Sequence, residues 1–424
     1  MTHTSRIFNY EHANIWYYNV NKEQEWNINK EFPTMTDAQQ LALVKQQEQQ
    51  SLFLARPQDT VLMHHHPDPQ FLCYLVEQGH KLPEIQLIKN IHSHHINSNL
   101  TYSLVPYMVT EDLEQWCLRE KCDLFGADSL LVKRLNSKLY TRELATKYQF
   151  LVTSGSLCRS VEELIETYVK LTESGFEKCV LKTAFGSSGK GLRLINNSRE
   201  FQSLLKFISR RSSNFELLLE GWHPVQQNIN CQLLIRDGRP FILSVTEQYI
   251  DANGVYLGTN YSPEYSPQTD EHYRHEMMRL GNVLVDLGFD GICGIDSIID
   301  QQNRIFPIIE LNARFTQVTY LLDLVQRLNR DFQYIESRYV RIEFSDPLSF
   351  YEVNEILKRI LAPDRDHRYL VYTFAKYTPE GTSRTKYRIY VLFYGKQQNK
   401  LRAMIQNFLT FEARQHQDRA PINM

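Results

Sequence analysis

Two apolar runs separated by four polar residues constrain this chain more than any other feature. Gly291-Ile292-Cys293-Gly294-Ile295-Asp296-Ser297-Ile298-Ile299-Asp300 and Phe306-Pro307-Ile308-Ile309-Glu310-Leu311-Asn312-Ala313-Arg314 flank Gln301-Gln302-Asn303-Arg304. Runs of this kind joined by so short a link read as an antiparallel hairpin. In the second strand, period two puts Glu310, Asn312 and Arg314 on one face and Ile309, Leu311 and Ala313 on the other. Pairing the strands brings Asp296 beside Glu310 and Asn312. Two acids and an amide form an all-oxygen set, which suits magnesium holding substrate phosphates and suits zinc poorly. An ordinary amphipathic hairpin with a solvated polar face is the plainer alternative at this point.

Upstream stretches bear on that choice. Asn136 reads as the N-cap of a helix over Ser137 to Leu144, which places Lys138 in a first turn beside unpaired backbone N–H groups, a natural anion site. The strand Lys178 to Lys182 leads into Gly186-Ser187-Ser188-Gly189-Lys190-Gly191 and then the strand Leu192 to Ile195. Three glycines and two serines leave backbone N–H groups free to fold over phosphates, with Lys182 as point charge. This is not a Walker A loop, because no Ser or Thr follows Lys190 and no helix follows the loop. Phe215 to Glu220 is an apolar strand closing on an acid, able to read an adenine with its backbone.

The flanking regions carry less chemistry. Residues 1 to 55 are rich in aromatics and then in glutamine, with one helix expected to open at Thr36, with Gln39 as capping partner, and to run to about Gln50. From Asp59 the pattern becomes α/β: strand Thr60 to Met63, a helix with Phe71, Leu72, Leu75 and Val76 inward and Gly79 as its stop, then strand Ile85 to Ile88, a parallel unit. His64, His65 and His66 follow the first of these strands, where loops often meet small ligands, though solvated loop histidines are the plainer account. A helix opens at Thr110. Strands Asn230 to Ile235 and Pro240 to Val245 turn on Asp237-Gly238, and an irregular stretch from Glu247 to Pro267 is expected as a lid or substrate wall. After Arg314 come a helix, a strand, a helix over Tyr351 to Leu361, strands Tyr369 to Tyr377 and Tyr387 to Tyr394, and a final helix.

Composition narrows the function classes. The chain has 424 residues, enough for about two to four structural units. Its net charge of −2, without a basic stripe, argues against nucleic acid. No apolar run approaches the roughly 20 residues of a membrane span and Met1 to Arg6 lacks a signal-peptide core, so a cytoplasmic protein with no membrane partner is expected. Seven scattered cysteines without a C-x-x-C pair fit reduced, mostly buried thiols.

Taken together, a lysine on an early helix, Leu181-Lys182 before a Gly/Ser loop, a strand ending in Glu220, and Asp296 followed by Glu310-Leu311-Asn312-Ala313-Arg314 resemble the ATP-grasp superfamily, over roughly residues 130 to 325. The layout is most similar to its amino-acid and peptide ligases. The resemblance implies an α/β (α+β) chain: an extension (1–55), a Rossmann-like pre-ATP-grasp domain (56–128), the ATP-grasp fold (129–335) and a C-terminal α+β extension (336–424). It implies that Lys138, Lys182 and Gly186, Ser187, Ser188, Gly189, Lys190 and Gly191 meet ATP, that Glu220 sits at the adenine hinge with Asn228 nearby, that Asp296, Glu310 and Asn312 hold Mg²⁺ (or Mn²⁺), and that Arg314 acts on the reacting phosphoryl group. Gln227-Asn228 stands where many members have a ribose-binding Glu, and Gly294 where some have an Arg. The implied activity is an ATP-dependent ligase joining a small-molecule carboxylate donor to an amine acceptor, as monomer or homodimer. A nucleotide-binding regulator without turnover and a small-molecule kinase are the alternatives.

Overall fold

A computed structural model of the chain describes residues 12–20, 22–26, 37–96, 101–186, 191–210 and 215–417. Three sheets organise it. The first is fully parallel, in the order β3-β2-β1-β4-β5, with β1 Ala13–Tyr17, β2 Thr60–Met63, β3 Glu84–Leu87, β4 Tyr102–Pro106 and β5 Asp123–Leu124. Its middle strand comes from the aromatic stretch expected as an extension. β1 buries Asn14, Ile15 and Trp16 in succession, so it has no period-two signature to read. Buried Asp59 fixes it beside β2 by accepting from the Asn14 backbone N–H at 3.0 Å and from Trp16 Nε1 at 3.1 Å. The strand order reverses between β1 and β4, and the crevice beyond the carboxyl ends at such a point is where ligands bind.

The glutamine-rich stretch departs from the expected helix. Thr36 lies outside the described residues; the N-cap is Asp37, the α-helix is Ala38–Lys45, and a 3₁₀ segment, Gln46–Phe53, follows with all its residues buried. A buried 3₁₀ turn of polar residues needs partners, and the outer strand of another sheet supplies them. Gln46 exchanges hydrogen bonds with the Lys376 backbone at 2.8 and 3.1 Å, and Gln49 with that of Phe374 at 2.8 and 3.1 Å. The two amides thus pair an edge strand that would otherwise be open.

The second sheet is antiparallel, in the order β6-β9-β7-β8, with β6 Gly155–Cys158, β7 Cys179–Lys182, β8 Leu192–Ile195 and β9 Leu217–Gly221. Helices Val161–Glu173 and Ser198–Ser209 cover one face, and Leu164, Leu171, Phe201, Leu205 and Ile208 close its core against Leu217 and Leu219.

The third sheet runs β14-β13-β10-β11-β12-β15-β17-β16 and is antiparallel throughout: β10 Val225–Arg236, β11 Arg239–Ile250, β12 Tyr256–Asn260, β13 Gly291–Asp300, β14 Ile305–Asn312, β15 Tyr334–Phe344, β16 His367–Tyr377 and β17 Thr385–Gly395. The stretch after Glu247 is therefore more regular than expected: β11 continues to Ile250 and β12 bridges to β15. At Gly258 (φ +154°) a Cβ would stand 2.1 Å from the Ser337 carbonyl oxygen, so only glycine lets β12 approach β15 this closely. The largest core cluster joins the parallel sheet (Trp16), the helix Pro69–Glu77 (Phe71), the helix Gln317–Leu328 (Tyr320, Leu321) and the C-terminal hairpin (Phe374, Tyr390, Phe393). No helix among the described residues is long and apolar enough to cross a membrane. All seven cysteines are free, five of them buried.

Candidate active site

A cavity of about 890 Å³ opens where the three sheets meet. β13 and β14 pair with Asp296 directly opposite Glu310 and Gly294 opposite Asn312, so the hairpin delivers two carboxylates to one spot. Burial, and then the neighbouring Glu310 charge, hold the Asp296 carboxyl above its usual range. Asn230 Nδ2 at 2.8 Å and Gln248 Nε2 at 2.9 Å donate to its Oδ1, and Asn312 Nδ2 donates to Oδ2 at 3.1 Å. Asn230 and Gln248, on β10 and β11, were not singled out from sequence; they show themselves only once the sheet order is known.

Lys138 reaches the same spot. Ser137, not Asn136, caps its helix, Lys138–Lys147. Asn136 instead closes the preceding helix, Ser129–Leu135, and its Oδ1 accepts from the Ala313 N–H at 3.1 Å, fixing the end of β14. Lys138 is 3% exposed, and its Nζ donates to Glu310 Oε1 at 2.7 Å and to the Gly186 carbonyl at 2.5 Å. One ammonium thus ties the acidic hairpin to the start of the glycine loop.

Lys182, at the end of β7, donates to Glu220 Oε2 at 2.6 Å. Arg142 Nη1 donates to Glu220 Oε1 at 2.7 Å, and the Thr153 hydroxyl donates to the same oxygen. Burial alone would raise the Glu220 pKa, but the Lys182 and Arg142 charges outweigh it and hold the carboxyl below its ordinary range. Arg142 was missed in the sequence, although its i,i+4 spacing from Lys138 puts both cations on one helix face. The glycine loop closes at its base through Thr183 N–H to the Gly191 carbonyl, 2.9 Å. Gly191 has φ +80°, and a Cβ there would lie 2.6 Å from the Phe185 carbonyl oxygen. Ser187, Ser188, Gly189 and Lys190 lie outside the described residues; Gly186 and Asn228 line the cavity.

Arg314 follows the end of β14, its N–H turned back to the Asn312 carbonyl at 2.7 Å. It still lines the cavity, with Nη2 donating to Asn312 Oδ1 at 2.7 Å, Nε donating to Glu23, and the guanidinium 5.2 Å from the centre of the Tyr107 ring. Burial opposes its charge, yet the Glu23 carboxylate outweighs that and strengthens it. Glu23 sits on the short helix Lys22–Trp26 and was not anticipated. Tyr18 and Tyr107, beyond the carboxyl ends of β1 and β4, form the cavity wall from the parallel sheet. The histidines after β2 are engaged elsewhere: Glu48 accepts from the His64 and His65 backbone N–H groups, both at 2.9 Å, and lies 3.0 Å from His64 Nδ1.

The donor set fits a hard divalent cation. Two half-buried carboxylates stand directly opposite one another, their mutual repulsion relieved by amide donors, Lys138 and the Arg314 charge, so a cation lowers the energy of the site. Asn312 bridges Asp296 and Arg314, its Nδ2 donating to the first and its Oδ1 accepting from the second.

Comparison with known proteins bears on this geometry. Residues 164–318 match the family model described as an ATP-grasp domain. The chain is 38% identical over 379 residues to the [Butirosin acyl-carrier protein]--L-glutamate ligase of Niallia circulans, covering 89% of each chain. Among solved structures it is similar to N5-carboxyaminoimidazole synthetase from Staphylococcus aureus complexed with ADP, with TM-score 0.57 and 12% identity over 94% of this chain and 98% of that one. It is also similar to the biotin carboxylase domain of 2-oxoglutarate carboxylase from Hydrogenobacter thermophilus with MgADP, with TM-score 0.54 and 13% identity over 91% and 87%. These two likenesses are of fold.

Proposed function

This chain belongs to the ATP-grasp ligases, and from that premise we propose that it joins an amino-acid carboxylate to an amine presented on a carrier protein, with the cavity's side chains in the roles set out below. It is an ATP-dependent carboxylate–amine ligase that releases ADP. The finer reading of its substrates rests on the relative that couples L-glutamate to an acyl-carrier protein.

The observation that carries the site assignment is that one cavity is lined by Lys138, Lys182, Asp296, Glu310, Asn312 and Arg314 together. Lys138 and Lys182 neutralise the nucleotide phosphates, under a loop whose ends are Gly186 and Gly191. Glu220 orients Lys182 and Arg142 at the rim of the nucleotide site. Asp296, Glu310 and Asn312 hold the metal; magnesium bound there supplies charge neutralisation to the phosphate oxygens. The donor carboxylate oxygen attacks the γ-phosphorus, ADP departs, and an acyl phosphate forms. The acceptor amine then attacks the acyl carbon, inorganic phosphate leaves, and the amine proton passes to solvent. Arg314, with a planar fork matched to phosphoryl oxygens, holds the group being transferred. A cytoplasmic setting belongs to the same reading, supported by the free cysteines.

The deciding experiment measures ADP and phosphate release across amino acids, with free amines and with acyl-carrier proteins as acceptors. Release that rises with both donor and acceptor is expected. A stable phosphorylated product in place of free phosphate would make the protein a kinase, and nucleotide binding without turnover on any pair would make it a regulator.

A further inference from the structure

The end of the cavity formed by the C-terminal hairpin is built from like charges. Arg341 on β15 stands directly opposite Arg388 on β17, and both side chains line the same cavity as Glu310 and Arg314. Like charges at directly opposed positions of an antiparallel pair are unfavourable. The flanking pairs on that face are unremarkable: Tyr339 opposite Tyr390, and Glu343 opposite Lys386. Arg314, the other arginine on the cavity wall, is matched to Glu23. Arg341 is half-exposed and lies 3.5 Å from Glu412.

Arg388 has no ion pair with an acid among the described residues. Its Nε is buried and makes no hydrogen bond there. Its guanidinium is held instead by two aromatic faces, 4.5 Å from the Tyr339 ring centre and 5.3 Å from that of Tyr390. Stacking fixes the plane of the fork without using any of its N–H donors. A buried donor left unpaired is costly unless a ligand completes it, and the planar fork is matched to the paired oxygens of a carboxylate or phosphate. Four strands, β10, β11, β12 and β15, separate β13 with Asp296 from β17 with Arg388 in the sheet. An anion on Arg388 is therefore a different group from the phosphoryl that Asp296 and Glu310 attend.

We infer that Arg388, with Arg341 across the ladder, is a subsite for a substrate oxyanion that takes no part in bond formation. This rests on the ligase reading above, which supplies two sources: a carboxylate of the donor that is not activated, or a phosphate on the acceptor's prosthetic arm.

Calorimetric titration of the full chain with L-glutamate and, separately, with 4′-phosphopantetheine, with and without saturating MgADP, distinguishes them. One of the two is expected to bind wild type and to weaken tenfold or more in Arg388→Gln, less in Arg388→Lys, and a few-fold in Arg341→Gln, while ADP affinity stays within about twofold. Glutamate as the affected probe assigns a carboxylate, phosphopantetheine a phosphate. Binding of neither to wild type, or unchanged affinity in the variants, overturns the subsite. If Arg388→Gln does not fold, half-exposed Arg341→Gln alone decides. Failure of the wild type to bind MgADP would count against the ligase reading, and the titrations without nucleotide still judge the subsite.

Discussion

Glu23 and Arg314, 291 positions apart in the chain, form a buried ion pair on the wall of the cavity. The short helix that carries Glu23 also carries Trp26, whose ring meets Phe185 edge-on at 5.6 Å, one residue before Gly186. One turn of helix thus touches both the arginine assigned to the transferring phosphoryl group and the base of the glycine loop.

Arg314→Lys is expected to lower kcat by about 10³ while changing ATP affinity only a few-fold, because an ammonium cannot reproduce the fork and transition-state arginines in phosphoryl transfer carry effects of that order. Steady-state kinetics with separate nucleotide titrations check it. Retained rate with lost ATP affinity would place Arg314 in the nucleotide site instead.

Glu310→Gln removes a charge without changing volume, and a glutamine oxygen can still accept from Lys138. Turnover should vanish while the melting temperature stays within a few degrees of wild type. Full activity at saturating Mg²⁺ would exclude Glu310 as a ligand.

Lys182 and Glu220 should separate binding from stability. Lys182→Ala leaves Arg142 to neutralise Glu220, so the fold persists and nucleotide affinity falls about tenfold, equivalent to roughly 1.4 kcal/mol. Glu220→Ala strands two cations without their shared acid, and breaking a buried pair this way costs about 3–5 kcal/mol. Denaturant titration should find the second variant much less stable than the first; equal stability would refute the network.

His80 makes the parallel-sheet region acid-sensitive. Burial, and then the Arg327 charge, push its pKa down to about 4, and its ring packs edge-on against Phe53 at 4.9 Å. Its folded-state pKa lies below the unfolded value, so protonation favours the unfolded chain. The stability it contributes is complete above about pH 6.5 and is lost as pH falls toward 4. At 1.36 kcal/mol per unit the loss reaches at most about 3 kcal/mol, less for the ring's remaining exposure. Melting temperatures at pH 7 and pH 5 should differ less in His80→Gln than in wild type.

The meeting of Asp296 with Glu310 was legible because a short link and period-two alternation fix a hairpin's register locally. Arg314 was placed on that face by the same periodicity, yet it reaches the cavity by another route: the strand ends at Asn312 and a turn, with Glu23, sets the guanidinium. Local pattern could not give β1, whose burial on both faces erases alternation, nor β12, where Gly258 admits the distant strand β15 and the Thr259 N–H bonds the Ser337 hydroxyl 78 residues away. The cap moved from Asn136 to Ser137 because the Asn136 amide is claimed by the Ala313 backbone, a partner 177 residues distant. Arg142, Asn230 and Gln248 are unexceptional as residue types and acquire their meaning only from what folds against them.

The third sheet joins the acidic hairpin to the C-terminal hairpin through one unbroken ladder, with β12 as the splice. A chimera that grafts the tail of a relative onto this chain cannot be cut cleanly between the reaction centre and the far wall. The donor tail must bring a strand that packs against Gly258 on β12 and an edge strand whose backbone meets the Gln46 and Gln49 amides. Changing this enzyme's substrate by swapping modules is therefore harder than changing it by point substitution on strands that stay where they are.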